Sequence, residues 1–208
     1  MNHDAIVVGG GPAGSVAALH LVRAGARTLL LERARLGRDK PCGGGLTRRA
    51  YASLEVPLAD VVDARVEAVE LRLGPRALAR LAAPEAAIYM VRRTNFDRRL
   101  AEAAAAAGAD LRVEAAATGV AANARGVTVQ TAQGPEHASV LLLATGAESP
   151  LGAQLGFSPL RRALVAIELE GPVVGATLDG TQAVLDYGVP GGYAWAFPKG
   201  AVWNVGIG

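Results

Sequence analysis

The chain has 208 residues, 51% of them hydrophobic, and a formal net charge of +2. That length allows one large domain or two small ones, and nineteen of the 21 basic residues are scattered Arg, which reads as codon bias and argues against a dedicated nucleic-acid surface. A single cysteine, Cys42, excludes an internal disulfide and a CxxC metal site.

In chain order, Ala5 to Val8 is a short apolar run, the pattern of a strand buried in a parallel sheet. Gly9, Gly11 and Gly14 follow at once in G-x-G-x-x-G spacing. Ser15 to Ala24 then reads as an apolar helix stopped by Gly25, and Thr28 to Leu31 as a second buried strand ending in Glu32. Each part has a physical task in dinucleotide binding. Gly9 allows the tight turn, Gly11 lets backbone approach a pyrophosphate, and Gly14 lets the helix sit close to the sheet. Free N–H groups and the dipole at the helix start favour the anion. Glu32, eighteen residues after Gly14, brings a carboxylate to the ribose hydroxyls. These residues alone do not separate FAD from NAD.

The charged, Gly-rich stretch Arg33 to Gly45 is expected to be a loop, and Leu46 to Leu54 a short helix. Arg65 to Leu73 alternates as one half-buried strand, Gly74-Pro75 turns, and Ala77 to Leu81 pairs back; Ala87 to Val91 is a third strand. Thr94 is placed to cap a helix over Asn95 to Ala107, with Gly108 ending it. Asp110 to Val113 predicts a strand returning to the first sheet. Ala116 to Ala121 and Gly126 to Thr131 predict a hairpin, and Ala138 to Ala144 a buried strand followed by a loop to Pro159. Ala163 to Glu170, Ala183 to Tyr187, Tyr193 to Pro198 and Val202 to Ile207 predict antiparallel strands. The start runs almost directly into a strand and no long uncharged apolar run occurs, so neither a signal peptide nor a spanning helix is expected. The expected location is the cytoplasm, with room for peripheral contact with a membrane.

Several of these segments carry a resemblance. VVGGGPAG with Glu32-Arg33, then Arg93-Thr-Asn-Phe96-Asp97-Arg-Arg-Leu100, then Ala144-Thr145-Gly146-Ala147 resemble the FAD-binding segments of the aromatic-hydroxylase group. Lys40-Pro41-Cys42-Gly43-Gly44-Gly45 and Gly192-Tyr193-Ala194-Trp195-Ala196-Phe197-Pro198-Lys199, with Asn204 to Gly208, resemble the PCGGG and Y-x-W-x-F-P-K…VGxG segments of geranylgeranyl reductases within it. The resemblance implies an α/β fold: a Rossmann-like, doubly wound parallel sheet binding FAD, plus an antiparallel substrate-domain sheet. It divides the chain into an FAD domain over 1–160, with inserted strands at about 64–92, and an incomplete substrate domain over 161–208. A third flavin motif of the GDAAG type follows the VGxG strand in that family, so the chain is expected to be truncated at its C-terminus.

The resemblance further implies FAD contacts from Gly9, Gly11, Pro12, Ala13, Gly14, Glu32, Arg33, Cys42, Gly43, Gly44, Arg93, Ala144, Thr145 and Gly146. Cys42 is placed beside the flavin, where glycines let backbone pass the ring. Arg92 is read as solvated, Asp97 as a helix-start carboxylate, and Lys199 as a surface residue after a Pro turn. Tyr193, Trp195 and Phe197 alternate, so on a strand they share one face and can wall an apolar pocket suited to an isoprenoid chain. His3, His20 and His137 are scattered and carry no assigned chemistry.

The implied reaction is reduction of isoprenoid C=C bonds in a geranylgeranyl or other prenyl-lipid substrate. The electrons come from NAD(P)H or a ferredoxin, and the proton from Cys42, Tyr193 or a water. A monooxygenase or halogenase on the same fold is the rival enzyme reading, and a flavin-binding module without turnover the third. No metal is expected, and the oligomeric state is open.

Overall fold

In the computed structural model, which describes residues 3–83, 85–147, 149–158, 165–173 and 179–208, the apolar run Ala5–Val8 is a strand, β1. Helix α1 (Pro12–Arg23) and strand β2 (Thr28–Leu31) follow. The helix starts three residues before the expected Ser15. Proline lacks only an N–H that the first turn would leave unbonded, and its fixed φ suits helix entry. Next come β3 (Gly45–Thr47), α2 (Arg48–Ala52), β4 (Val62–Val66), β5 (Ala68–Leu73), β6 (Arg76–Ala82) and β7 (Ile88–Val91). Then follow α3 (Arg93–Ala106), β8 (Asp110–Arg112), β9 (Ala117–Asn123), β10 (Gly126–Thr131), β11 (Gly134–Ala138), β12 (Val140–Leu143) and α4 (Leu151–Gln154). The last strands are β13 (Ile167–Gly171), β14 (Gln182–Asp186), β15 (Ala194–Lys199) and β16 (Val202–Ile207).

The chain divides into two units, Met1–Arg38 with Phe96–Arg162 and Asp39–Asn95 with Ala163–Gly208. The expected boundary at 160/161, and the start of the strand expected from Ala163, lie outside the described residues.

The first unit is built on a parallel sheet of order β12-β1-β2-β8. Its two inner strands are closed to solvent on both sides: Ile6, Val7, Leu29 and Leu30 have no exposed surface, which is why these strands read as unbroken apolar runs. At about 25 cal/mol per Å², each such side chain contributes roughly 2 kcal/mol. β12 lies at an edge, and Val140 is half exposed, so this strand is less buried than its sequence predicts. Ala18 and Leu19 turn α1 onto β1 and β2. A three-stranded antiparallel sheet, β11-β10-β9, brings Val120, Val129 and Ala138 into one core with Ile6, Val8, Leu29 and Leu31. Its third strand, β11, was not anticipated; nor was α4 in the loop after β12.

The second unit contains a six-stranded sheet of order β13-β16-β15-β14-β5-β6 and a three-stranded sheet of order β3-β7-β4. The expected single strand Arg65–Leu73 is two strands, because the chain leaves one sheet after Val66 and enters the other at Ala68. Thus β5 pairs in parallel with β14, Ala68 opposite Gln182, and joins the sheet of the C-terminal strands, whose other described pairings are antiparallel. The expected helix over Leu46–Leu54 is shortened by β3, and Thr47 caps α2 by accepting from the Ala50 N–H.

Candidate functional site

In the first unit the glycine loop is fitted to its surroundings atom by atom. Gly9 has φ +111°, and a Cβ there would lie 2.4 Å from the Ala144 carbonyl oxygen. A Cβ on Gly14 would lie 1.9 Å from the Gly9 carbonyl oxygen. Ser15 Oγ donates to the Gly10 carbonyl at 3.1 Å and ties the helix start to the loop. Gly11 caps α1 without a side-chain hydrogen bond, and the first turn carries no acid. The N–H groups of the first turn therefore have no intrahelical partner, which fits a pyrophosphate. Ala13 is exposed there, and Pro12 and Gly11 are half-buried.

Glu32 closes the loop from below. Its Oε2 accepts from the Gly10 N–H at 2.7 Å and its Oε1 from the Ala34 N–H at 2.9 Å, while only 5% of the residue is exposed. Arg38 lies 3.7 Å from Glu32 Oε1 and 3.5 Å from Asp97 Oδ2. The buried Asp97 therefore has an ionic partner as well as its place in α3, a pairing no local pattern reveals. Thr145 and Gly146, with φ +83° at Gly146, follow β12 directly beside Ala144. Arg33 is exposed after β2. One unit thus brings together Gly9, Gly14, Glu32 and Ala144.

The second unit brings together two segments far apart in sequence. Gly43 meets the Phe197 ring: a Cβ there would lie 3.0 Å from Phe197 Cε2 and 3.6 Å from Trp195 Nε1. The aromatics form a row on one sheet face, with centroids 5.8 Å apart for Tyr193–Trp195 and 6.2 Å for Trp195–Phe197. Tyr187 extends the row at 5.9 Å from Tyr193. Trp195 is 9% exposed and donates from Nε1 to Asn204 Oδ1 at 2.7 Å, whereas Tyr193 is 41% exposed. The indole lies across Gly206, whose Cβ would sit 2.2 Å from Trp195 Cζ2.

Beside this row the same unit carries charge. A cavity of about 520 Å³ is lined by residues that include Lys40, Cys42, Arg93, Glu168, Glu170 and Lys199. Lys199 is not at the surface, as its Pro turn predicts, but 3% exposed. A buried ammonium needs partners, and it has Glu170 Oε2 at 2.9 Å and the Cys42 carbonyl at 3.3 Å. Arg92, expected to be solvated, donates from Nε to Glu170 at 2.9 Å and from Nη1 to Asp63 at 3.0 Å. Burial pushes the Glu170 carboxyl up, but the hydrogen bonds from Lys199 and Arg92 outweigh it and hold the group below its ordinary range. Arg92 is raised, chiefly by its hydrogen bond to Glu170. The sequence signal for this cluster is Glu168 and Glu170 at i and i+2, which puts two carboxylates on one face of β13.

A strand–glycine turn–helix–strand with a buried acid at its end defines a dinucleotide-binding fold. The chain belongs to the FAD binding domain family, whose family model matches residues 2–179. It is 34% identical over 222 residues to a menaquinone reductase of Mycobacterium tuberculosis, covering 99% of this chain and 54% of that one. It is 33% identical over 220 residues to digeranylgeranylglycerophospholipid reductase 1 of Methanopyrus kandleri, covering 100% of this chain and 58% of that one. The chain thus spans about half the length of these relatives. A geranylgeranyl bacteriochlorophyll reductase-like protein from Thermoplasma acidophilum superposes with TM-score 0.79 at 29% identity, over 99% of this chain and 56% of that one. A halogenase solved with phloroglucinol and FAD shares the fold, with TM-score 0.81 at 16% identity over 100% of this chain and 51% of that one. Among the described residues no helix is long and apolar enough to cross a membrane.

Proposed function

We propose that this chain is the FAD-binding and substrate-sheet part of an oxidoreductase that saturates C=C bonds of isoprenoid chains. The observation that carries the reading is the meeting of the Cys42–Gly44 segment with the Trp195–Phe197 row. In two segments about 150 residues apart, each similar to a geranylgeranyl reductase motif, Gly43 lies against the Phe197 ring and beside the Trp195 indole, where a side chain would be crowded. The reductase names of the relatives at 33–34% identity support the same class.

The residues proposed to hold FAD in the first unit are Gly9, Gly11, Pro12, Ala13, Gly14, Glu32 and Arg33, with Ala144, Thr145 and Gly146. The helix start would hold the pyrophosphate, and the Glu32 oxygens retain lone pairs that would accept from a ribose hydroxyl. In the second unit Cys42, Gly43, Gly44 and Arg93 are proposed cofactor neighbours. When bound, reduced FAD supplies the hydride. The aromatic row Tyr193, Trp195, Phe197 lies along the prenyl chain and excludes water; Cys42 or Tyr193 delivers the balancing proton to the other carbon. NAD(P)H or a ferredoxin re-reduces the cofactor. Peripheral contact with a membrane follows from a prenyl-lipid substrate.

The test is anaerobic: enzyme with its FAD chemically reduced is mixed with a prenyl lipid. Reoxidation of the flavin without oxygen is expected. Reoxidation only on admitting oxygen would favour a monooxygenase or halogenase, and none under either condition a binding module without turnover.

A further inference from the structure

Cys42 is held at both of its peptide groups by charged side chains. Its N–H donates to Glu168 Oε1 at 2.6 Å, and its carbonyl accepts from Lys199 Nζ at 3.3 Å. Two residues on, the Gly44 carbonyl accepts from the Val91 N–H at 2.9 Å. The segment Cys42-Gly43-Gly44-Gly45 has little conformational preference of its own, since three of its four residues are glycine. Its path is therefore dictated by these bonds. The two clamping side chains share a sheet face with the aromatic row: Glu168 and Trp195 both pair with Gly206. Lys199 is itself immobilised. Glu170 holds its ammonium, Arg92 holds Glu170, and Asp63 holds Arg92, at 2.9, 2.9 and 3.0 Å.

We propose that Glu168 and Lys199 are positioning residues that fix the Cys42 peptide and so the direction of its thiol. The inference rests on the proposed function only for its consequence in turnover; the clamp itself is a property of the resting protein. Glu168 acts as an acceptor, so Gln can replace it and Ala cannot. Lys199 acts as a donor fixed by Glu170, so Met cannot replace it.

The measurement is the rate of Cys42 alkylation by iodoacetamide in the full purified protein at one pH, followed at this residue by peptide mass spectrometry. E168A is expected to raise the rate about tenfold, the scale set by losing a hydrogen bond to a charged group, and E168Q to stay within about twofold of wild type. Lys199→Met is expected to raise it as well. Should that variant fail to fold, the half-buried Glu168 supplies the deciding pair. An unchanged rate in E168A, or an equal rise in E168A and E168Q, would overturn the proposal. A Cys42→Ser variant that still saturates prenyl lipids at full rate would remove Cys42 from catalysis and leave the alkylation result standing, so the two failures are distinguishable.

Discussion

The Glu32 carboxylate accepts the Gly10 amide at 2.7 Å, across 22 residues of chain, and so ties the end of β2 to the glycine loop. An acid expected only to greet a ribose also builds the glycine loop itself. Glu32→Ala strips acceptors from the Gly10 and Ala34 amides and is expected to cost about 2–4 kcal/mol in urea denaturation. Glu32→Gln keeps one oxygen acceptor and is expected to cost less. Equal stability of Glu32→Ala and wild type would show that the carboxylate has no structural share.

Two glycines separate crowding from backbone conformation. Gly14→Ala forces a methyl to 1.9 Å from a backbone oxygen and is expected to destabilise by about 3 kcal/mol and to purify without flavin. A Cβ added at Gly25 would meet nothing within 4 Å, but the backbone there has a φ of +87°. Gly25→Ala is therefore expected to cost only about 1–2 kcal/mol and to keep its flavin. Both are read from thermal melts and the visible absorbance of the purified protein.

Gly206 is the seat of the Trp195 indole. Gly206→Ala is expected to lift the ring, break its bond to Asn204 and shift tryptophan emission to the red, with about 1–3 kcal/mol lost to overpacking. A Trp203→Phe background isolates the Trp195 signal, since the chain has 2 tryptophans. Unshifted emission would mean that the ring does not depend on this glycine.

The first βαβ segment was legible because each signal in it is local: two fully buried strands read as apolar runs, and Gly9 and Gly14 sit where a Cβ would strike backbone. The hairpin β9–β10 was legible for the same reason. What escaped depends on distant partners. β3 is three residues long and exists through its pairing with Met90 and its neighbours. The break at Glu67 between two sheets cannot be seen in an alternation that continues through it. The burial of Lys199 depends on Glu170, 29 residues away, and the pairing of the half-exposed Arg92 on Asp63 and Glu170. Of the candidate site, the glycine loop and the shared face of the aromatics were therefore readable, and the charged clamp around Cys42 was not.

Acid should probe that clamp. Glu170 is held below its ordinary 4.5 in the folded state, so the unfolded chain binds its proton more readily. Its contribution is present above about 4.5 and is lost as pH falls through the lowered folded value. Melting temperatures measured in steps down through this window are expected to fall less steeply in Glu170→Gln than in wild type. Asp4, lowered to about 2 through Arg27, titrates in both proteins and cancels in the difference. Identical slopes would remove Glu170 from the acid response.

The central claim is tested most directly by mass spectrometry of digeranylgeranylglycerophospholipid incubated with the full-length protein, FAD and a chemical reductant under anaerobic conditions. The expected product has gained one H₂ for each C=C bond reduced, and Gly14→Ala yields none. A lipid of unchanged mass, with flavin bound and reduced and a broad set of other prenyl lipids equally untouched, would contradict the account.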